Sequence, residues 1–433
     1  MEKFVIEGGQ PLSGTLLPAG NKNAALPILA ATLLTEEEVV LRNVPRIRDV
    51  QAMLDLLRGL GAAVDRREDD SVAICTADVN HTELDVSLSE RIRASFLLAG
   101  PLLARFGRAD MPPPGGDVIG RRRLDPHLDA FRALGATVET SRGSYLLTAP
   151  DGLRACDFFM DEPSVMATEN ALMAAALTPG STVIHNAASE PHVQDLARLL
   201  LQMGARIEGI GSNVLVVHGA PTLGGADHTI GPDYIEVASF IALAACTGGQ
   251  LRIKDVVQSD LRMTRLAFER LGCRIEYEDN DVVVPPNQEL RVKDDEGDAI
   301  SKIEDGPWPA FPADLTSIAL AMATQADGMV LIFEKMFENR LFFVDKLVSM
   351  GARILLCDPH RAVVSGPSRL HGERMESPDI RAGMALLIAA LCAEGRSEIG
   401  NVRQIDRGYE RIDERLRGLG ARIERVATEP VAV

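Results

Sequence analysis

Hydrophobic positions along the chain follow two helical patterns that alternate with short strand-like runs. One pattern is amphipathic, with apolar residues three and four apart, as in "DVQAMLDLLRGL". The other is apolar on every side, as in "TENALMAAAL" and "EVASFIALAA", and such a helix must be buried. Runs such as "STVIHNA" and "GMVLIFE" predict strands. The pattern indicates an α/β protein with fully buried helices.

The amphipathic pattern recurs six times with the same ending. Each copy ends in a glycine that is followed, three residues later, by Val or Ile, and successive glycines are 68 to 79 residues apart. The six are Gly61, Gly135, Gly204, Gly272, Gly351 and Gly420. A glycine just past the last turn is typical of a helix end. The sequence therefore predicts six repeats of an apolar helix, a strand, an amphipathic helix and a closing strand or hairpin.

Polar residues enter the apolar helices at their N-terminal ends. They are Lys22, Asn23, Arg93, Ser164, Thr168, Asp233, Glu236, Asp314, Asp379 and Arg381. Ordinary N-capping accounts for the Asp, Ser and Asn members. A cation there opposes the helix dipole, however, unless an anion joins it. Lys22, Arg93 and Arg381 therefore point to a phosphate or carboxylate site.

Composition limits the function classes. The 433 residues carry a formal net charge of −17, which argues against binding to nucleic acid or to an anionic membrane surface. The longest apolar stretches are too short to span a bilayer and the N-terminus lacks a signal-peptide pattern, so we expect a cytoplasmic protein. The six cysteines form no CxxC pair and the histidines no ligand motif, so we expect buried cysteines and no metal site.

Several segments, in order along nearly the whole chain, resemble the UDP-N-acetylglucosamine enolpyruvyl transferase (1-carboxyvinyltransferase) family. They are "PAGNKNAALPILAATLL", "PGGDVIGRRRLDPH", "SVMATENALMAAAL", "PAFPADLTSIA", "MFENRLFFVDKLVSMGA" and "IDRGYERIDERLRGLGA". The resemblance implies an α/β fold with two lobes of three βαβαββ units each, an inside-out α/β barrel. It implies one lobe at 22–230, with a mobile loop at 112–123, and a second lobe at 1–21 and 231–433.

The family reaction moves the enolpyruvyl group of phosphoenolpyruvate onto the 3′-hydroxyl of UDP-N-acetylglucosamine and releases phosphate, early in peptidoglycan synthesis. The hydroxyl adds to C2 while C3 takes a proton, and loss of phosphate restores the double bond. This chemistry needs a base, an acid and cations around the anionic groups. It requires no metal or organic cofactor, and the expected partners are the two small-molecule substrates.

The resemblance assigns four catalytic residues. Asp314 matches the carboxylate that takes the hydroxyl proton, while Lys22 and Arg407 match cations at the phosphoenolpyruvate site. Asp117 stands where most relatives have the cysteine that donates the proton and reacts with the epoxide antibiotic fosfomycin. The aspartate therefore predicts fosfomycin resistance.

The resemblance also implies two sets of binding residues. The phosphoenolpyruvate set is Lys22, Asn23, Arg122, Arg340, Arg381 and Arg407. The UDP-N-acetylglucosamine set is Arg93, Arg122, Arg123, Leu124, Asp125, Pro126, Glu162, Pro163, Ser164, Val165, Asp314 and Met336. The chain departs from common family residues at Glu162, Met166 and His192. A carboxylate at 162 cannot hold a diphosphate directly, so we expect Arg121, Arg122 and Arg123 to contribute more to its binding.

Two alternative functions are weaker. The related 5-enolpyruvylshikimate-3-phosphate synthases share the sixfold architecture, but their first helix typically opens with Lys-Ser, whereas this chain has Lys22 and Asn23. A non-catalytic sugar-nucleotide binding protein of the same fold would not need both an acid and a base, which this chain has in Asp117 and Asp314. The sequence therefore favours the sugar-nucleotide enzyme.

Overall fold

The structure, a computed structural model, describes residues 2–69, 71–117 and 119–427. The chain divides into two compact units. The first unit comprises Met1–Ala19, Val118–Arg121 and Pro232–Val433, and the second comprises Gly20–Asp117 and Arg122–Gly231. Of the described residues in the loop predicted at 112–123, residues 119–121 group with the first unit and the others with the second.

The elements, numbered in chain order, alternate between helices and strands throughout. The strands are β1 Glu2–Glu7, β2 Gly14–Leu16, β3 Val39–Arg42, β4 Ala63–Arg66, β5 Val72–Cys75, β6 Arg108–Met111, β7 Thr137–Ser141, β8 Ser144–Thr148, β9 Asp157–Phe159, β10 Gly180–His185, β11 Arg206–Glu208, β12 Val214–Gly219, β13 Ala226–Thr229, β14 Leu251–Ile253, β15 Glu276–Glu278, β16 Asp281–Val284, β17 Ser301–Glu304, β18 Gly328–Phe333, β19 Ile354–Asp358, β20 Arg361–Gly366, β21 Arg374–Glu376, β22 Arg396–Gly400 and β23 Arg422–Ala427. The α-helices are α1 Lys22–Ala31, α2 Arg48–Gly59, α3 Val86–Ser89, α4 Ala99–Phe106, α5 Asp125–Ala133, α6 Val165–Ala176, α7 Pro191–Gln202, α8 Tyr234–Thr247, α9 Arg262–Arg270, α10 Thr316–Ala323, α11 Val344–Ser349, α12 Ile380–Cys392 and α13 Ile412–Gly418. Short 3₁₀ helices cover Thr32–Leu34, Arg93–Leu98, Gln258–Leu261, Ala313–Leu315 and Ile405–Arg407.

Each unit contains three sheets among its described residues. The strand orders are β21-β22-β1-β23, β15-β16-β14-β2 and β17-β18-β20-β19 in the first unit, and β13-β3-β5-β4, β6-β8-β7 and β11-β12-β10-β9 in the second. Each four-stranded sheet has one parallel pair at its edge and antiparallel pairs elsewhere. Six sheets with closely related pairing agree with the six predicted repeats.

The helices that are apolar on every side form the two cores. Helices α8, α10 and α12 pack against one another in the first unit, and α6 packs against α1 and α4 in the second. Every residue at 234–245 in α8 and at 380–391 in α12 is buried. A helix without a polar face has no side that can be left in water, which is why it lies inside its unit.

The six repeat glycines all have positive φ, between 83° and 104°. Each follows the last residue of an amphipathic helix, as Gly61 follows Leu60, the C-cap of α2. This left-handed conformation is costly for a residue with a Cβ, which explains the choice of glycine at the end of each helix.

Two local expectations were wrong. Only Cys273 is buried, whereas Cys75, Cys156, Cys246 and Cys392 are partly exposed and Cys357 is exposed. Cys357 lies on β19, which is at the edge of its sheet. A residue on an edge strand can be exposed even when its neighbours in sequence are hydrophobic. In addition, the apolar run that begins at Arg93 is not one α-helix, because residues 93–98 form a 3₁₀ helix before α4.

Candidate active site

Asp314 lies between two buried arginines of the first unit. Its Oδ1 accepts a hydrogen bond from Nη2 of Arg340 at 2.8 Å, and its Oδ2 accepts one from Nε of Arg381 at 3.1 Å. The arginine side chains are only 3% and 4% exposed, whereas that of Asp314 is 28% exposed. The carboxylate is therefore the accessible member of the cluster, and two charge-assisted bonds fix its orientation.

The position of Asp314 follows from the proline-rich segment before α10. The residue lies in the 3₁₀ helix Ala313–Leu315, whose N-cap is Pro312, and Leu315 is the N-cap of α10. Asp314 is therefore not the helix cap that its place in the sequence also suggested. Because it is not used as a cap, its carboxylate is directed to the two arginines instead.

Arg381 is the second residue of α12 and remains charged although it is buried. Asp379, the N-cap, accepts hydrogen bonds from the N–H groups of Arg381 and Ala382 at 2.8 and 2.9 Å. Burial is the largest influence and disfavours the charged guanidinium, but Asp314, Tyr409 and Asp233 together outweigh it and raise the pKa of Arg381. The ring of Tyr409 lies 5.6 Å from the guanidinium carbon. These neighbours make Arg381 a permanent, rigid cation.

Two guanidinium donors in this cluster have no hydrogen-bond partner among the described residues. They are Nε of Arg340 and Nη1 of Arg381. Buried donors without an acceptor are rare in folded proteins. Both donors are inaccessible to solvent, so they add positive charge behind Asp314 without being directly open to a ligand.

Lys22, the first residue of α1, forms a buried ion pair that the sequence analysis missed. Its Nζ lies 2.9 Å from Oδ2 of Asp49, and the two side chains are 9% and 5% exposed. The N-cap of α1 is Asn21, whose Oδ1 accepts from the N–H groups of Asn23 and Ala24. The only sequence signal for Asp49 was an acidic residue in the first turn of α2, which is too common in helices to stand out.

The proline and glycine loop before Asp117 is packed against the segment that leads into Arg93. The N–H of Gly115 donates to the carbonyl of Ser89 at 3.2 Å. A Cβ on Gly115 would lie 1.7 Å from the carbonyl oxygen of Glu90, so only glycine fits. Asp117, which follows this contact, is half-buried.

Arg93 contacts the main chain of the segment of three consecutive arginines, 121–123. Its Nη2 donates to the carbonyl oxygens of Arg122 and Arg123 at 2.6 and 3.2 Å. Burial, with the positive charge of Arg122 nearby, lowers the pKa of Arg93 to about 10. Arg93 is thus a structural support for the backbone at 122–123, in addition to a cation beside it.

Arg123 is engaged by two carboxylates of its own unit. Its Nε lies 3.2 Å from Oδ2 of Asp125, and its Nη2 lies 2.9 Å from Oδ2 of Asp161. Its side chain is 35% exposed. The binding of a diphosphate by Arg123 would therefore have to compete with these two carboxylates.

The other predicted nucleotide residues lie at the N-termini of two helices. Leu124 is the N-cap of α5, and Asp125 and Pro126 begin that helix. Residues 162–165 are half-buried and lead into α6, with Ser164 as its N-cap. The hydroxyl of Ser164 makes no capping hydrogen bond. Helix N-termini suit phosphate groups because their N–H groups point outward.

Arg407 and Met336 complete the predicted set in the first unit. Arg407 ends the 3₁₀ helix Ile405–Arg407, is half-buried, and donates from Nη1 to Oε1 of Gln404 at 2.9 Å. Met336 is 42% exposed, in the segment between β18 and Arg340. The structure thus brings Asp314, Arg340 and Arg381 into direct contact and leaves Met336 exposed.

Residues 2–69, 71–117 and 119–427 contain neither a membrane-spanning helix nor a cluster of metal-ligating side chains. Within these ranges, no helix combines the length and the apolar character that a membrane crossing needs. The same ranges contain no group of three or more His, Cys, Asp and Glu side chains that could hold a metal ion.

Comparison with known proteins matches the chain along almost its full length. The profile of the family described as EPSP synthase (3-phosphoshikimate 1-carboxyvinyltransferase) matches residues 6–416. The UDP-N-acetylglucosamine 1-carboxyvinyltransferase of Bradyrhizobium diazoefficiens is 57% identical over 424 residues, which cover 98% of both chains. The protein of the same name from Treponema denticola is 54% identical over 424 residues, covering 98% of this chain and 99% of that protein.

A solved structure also superposes on the whole chain. The enolpyruvyl transferase NikO from Streptomyces tendae aligns with a TM-score of 0.88 and 27% identity, covering 99% of both chains. This alignment confirms the fold class that the sequence predicted.

Proposed function

This chain belongs to the family of UDP-N-acetylglucosamine 1-carboxyvinyltransferases, and from that premise we propose how it carries out the family's reaction. The enzyme transfers the enolpyruvyl group of phosphoenolpyruvate to the 3′-hydroxyl of UDP-N-acetylglucosamine and releases phosphate. The product enters peptidoglycan synthesis. We further propose that the reaction takes place in the cytoplasm, where both substrates are metabolites, and that the lobes follow the predicted division at about residue 230.

Asp314 is the base in this scheme. It removes the proton from the sugar hydroxyl as the oxygen attacks C2 of phosphoenolpyruvate. Its contacts with Arg340 and Arg381 support this role, because they fix the direction of the carboxylate before substrate arrives. That arrangement of one accessible carboxylate on two buried cations is the observation that carries the proposal.

Asp117 is the acid that gives a proton to C3. The contact of Gly115 with Ser89 supports a defined position for this residue. Lys22, Arg122 and Arg407 supply positive charge for the phosphate and carboxylate of phosphoenolpyruvate.

The nucleotide is held by residues from α5, α6 and the segment before Arg340. We propose that Arg122, Leu124 to Pro126 and 162–165 contact the uridine diphosphate, and that Asp314 and Met336 contact the sugar. The two helix N-termini, at one of which the hydroxyl of Ser164 makes no capping hydrogen bond, support diphosphate binding despite the carboxylate of Glu162.

Release of inorganic phosphate tests the proposal directly. The purified protein is mixed with phosphoenolpyruvate and UDP-N-acetylglucosamine, and phosphate and the enolpyruvyl product are measured. Replacing the sugar nucleotide with shikimate 3-phosphate should abolish the release. Phosphate release from phosphoenolpyruvate with shikimate 3-phosphate, but not with the sugar nucleotide, would favour the synthase alternative. Binding of the nucleotide without any phosphate release would favour a non-catalytic protein.

A further inference from the structure

Two carboxyl groups that this reaction scheme does not use are buried near the Asp314 cluster. The parallel strands β17 and β18 are in register with Glu304 opposite Phe333, so the next residues, Asp305 and Glu334, leave the sheet side by side. The N–H of Asp305 donates to the carbonyl of Phe333 at 3.3 Å. Asp305 is 1% exposed and Glu334 is not exposed at all. A pair of buried acids is costly and needs an explanation.

The hydrogen bonds of this pair imply a shared proton. Oδ1 of Asp305 accepts from the N–H of Lys335, and Oε1 of Glu334 accepts from the N–H of Phe337 at 3.1 Å. The remaining oxygens, Oδ2 of Asp305 and Oε2 of Glu334, accept no well-aligned hydrogen bond from a described residue, although the hydroxyl of Thr316 lies beside the Glu334 carboxyl group. Because the two carboxyl groups lie within hydrogen-bond reach of each other, a proton on one would satisfy both.

Glu334 is the group that holds this proton at neutral pH. Burial, followed by the negative charge of Asp305, raises the pKa of Glu334 to about 8, although the charge of Arg340 opposes the shift. Glu334 therefore keeps its proton at neutral pH and loses it as the pH rises through about 8.

The two segments that leave this pair meet again at Asp314. The segment after Asp305 leads to Asp314, and the segment after Glu334 leads to Arg340, which donates to Asp314 at 2.8 Å. Phe337 connects the two ends of the second segment. Its N–H is held by Glu334, and its ring centre lies 5.4 Å from the guanidinium carbon of Arg340.

Other charged groups around Glu334 are already engaged elsewhere. Asp305 and Arg340 are the charged side chains that act on the Glu334 carboxyl group, and His360 and Lys335 are the titratable residues beside its main chain. Nδ1 of His360 lies 2.7 Å from the main-chain carbonyl oxygen of Glu334, not from its carboxyl group. Nζ of Lys335 lies 3.1 Å from Oε2 of Glu304. Arg340 is thus the cation that an ionised Glu334 would attract.

We propose that Glu334 is a positioning residue of the transferase, whose protonated carboxyl, bonded to Asp305, holds the segment that carries Arg340 and leaves Arg340 to Asp314. When Glu334 loses its proton to solvent, a second carboxylate competes with Asp314 for the guanidinium, and the base loses its orientation. This inference rests on the proposed role of Asp314. We therefore expect kcat to fall at alkaline pH because Glu334 loses its proton.

Three variants test this role through pH profiles of kcat and KM. Glu334→Gln copies the protonated side chain, so it should keep activity at pH 7 and lose the alkaline fall of kcat. Glu334→Leu removes the acceptor for Phe337 and should lower kcat at pH 7 by about 10²-fold, because the reacting groups are then misplaced. Glu304→Gln, one residue before Asp305, is the matched control and should keep the wild-type profile.

A second measurement observes the proton itself on the ligand-free enzyme. Isotope-edited infrared spectra should contain a protonated-carboxyl band at pH 7 that disappears as the pH rises through about 8 and is absent in Glu334→Gln. The same alkaline fall in wild type and Glu334→Gln, or the absence of the band, would overturn the inference while leaving phosphate release by the wild-type enzyme intact. A wild-type enzyme that releases no phosphate would instead overturn the proposed function.

Discussion

Arg340 and Asp314 are joined by a 2.8 Å hydrogen bond across 26 residues of sequence. The arginine is almost completely buried and the aspartate is not. A buried guanidinium cannot follow its partner into solvent, so the carboxylate keeps one orientation whether or not substrate is bound. Pre-organisation of this kind lowers the cost of reaching a charged transition state.

Asp314→Asn should therefore separate catalysis from binding. The amide keeps the shape of the side chain but cannot accept the hydroxyl proton, so we expect turnover to fall by about 10²-fold or more. Calorimetry should still detect binding of UDP-N-acetylglucosamine. Asp345→Asn, at a side chain that is 64% exposed, serves as the control. Wild-type turnover in Asp314→Asn would exclude this residue as the base.

Fosfomycin tests the assignment of Asp117. A carboxylate is a weak nucleophile toward an epoxide, so the native enzyme should stay active and unmodified, whereas Asp117→Cys should become sensitive because a thiolate attacks readily. Mass spectrometry of peptides measures the adduct and locates it. Location matters because Cys357 is exposed. An adduct in the loop of the native protein, or full activity of Asp117→Ala, would contradict the assignment.

Asp49→Ala should destabilise the protein strongly. It leaves the buried Nζ of Lys22 without the carboxylate 2.9 Å away, and loss of one member of a buried ion pair costs about 3–5 kcal/mol. Urea unfolding measures the change. Asp55→Ala, in the same helix, removes an exposed pair with Arg58 and should cost less than about 0.5 kcal/mol. Equal losses of unfolding free energy in the two variants would show that the buried pair stabilises the protein no more than the exposed pair does.

His127 should make stability depend on pH below neutrality. Burial, assisted by the charges of Arg93 and Arg122, lowers the pKa of His127 to about 3, and Nδ1 of the neutral ring lies 2.9 Å from the amide of Asn170. In the unfolded chain His127 takes up a proton at about pH 6.5, whereas in the folded chain it does not. Its contribution to the free energy of unfolding is therefore fully present above pH 6.5 and is lost as the pH falls toward 3.

The difference between pH 7 and pH 5 should be about 2 kcal/mol from this residue alone. Urea midpoints of the wild type and of His127→Gln at both pH values measure it, and the variant should show the smaller loss. His81→Gln, at an exposed histidine of the same unit, should behave like the wild type. If the urea midpoint of His127→Gln changed between pH 7 and pH 5 as much as that of the wild type, other groups would be the cause of the pH dependence.

Much of the architecture could be predicted because it depends on local pattern. The glycines that end the amphipathic helices need positive φ wherever they occur, and Gly61 and Gly420 could be identified from a few neighbouring residues. Helices α8 and α12 are apolar on every side, which is enough to require burial. The exposed Cys357 shows the limit of this reasoning, since hydropathy does not reveal that a strand lies at the edge of a sheet.

The six repeats, the buried helices and the polar residues at their N-terminal ends can be recognised from the chain alone, because each of these follows from residues within a few turns of one another. Which charges meet depends on the tertiary structure. Lys22 pairs with Asp49, Asp314 with Arg340 and Arg381, and Glu334 with Asp305. These partners lie on different elements, and their contacts depend on strand register and helix packing. A difference of one residue in the register of β17 against β18 would separate the two acids, and nothing in the local sequence pattern specifies that register.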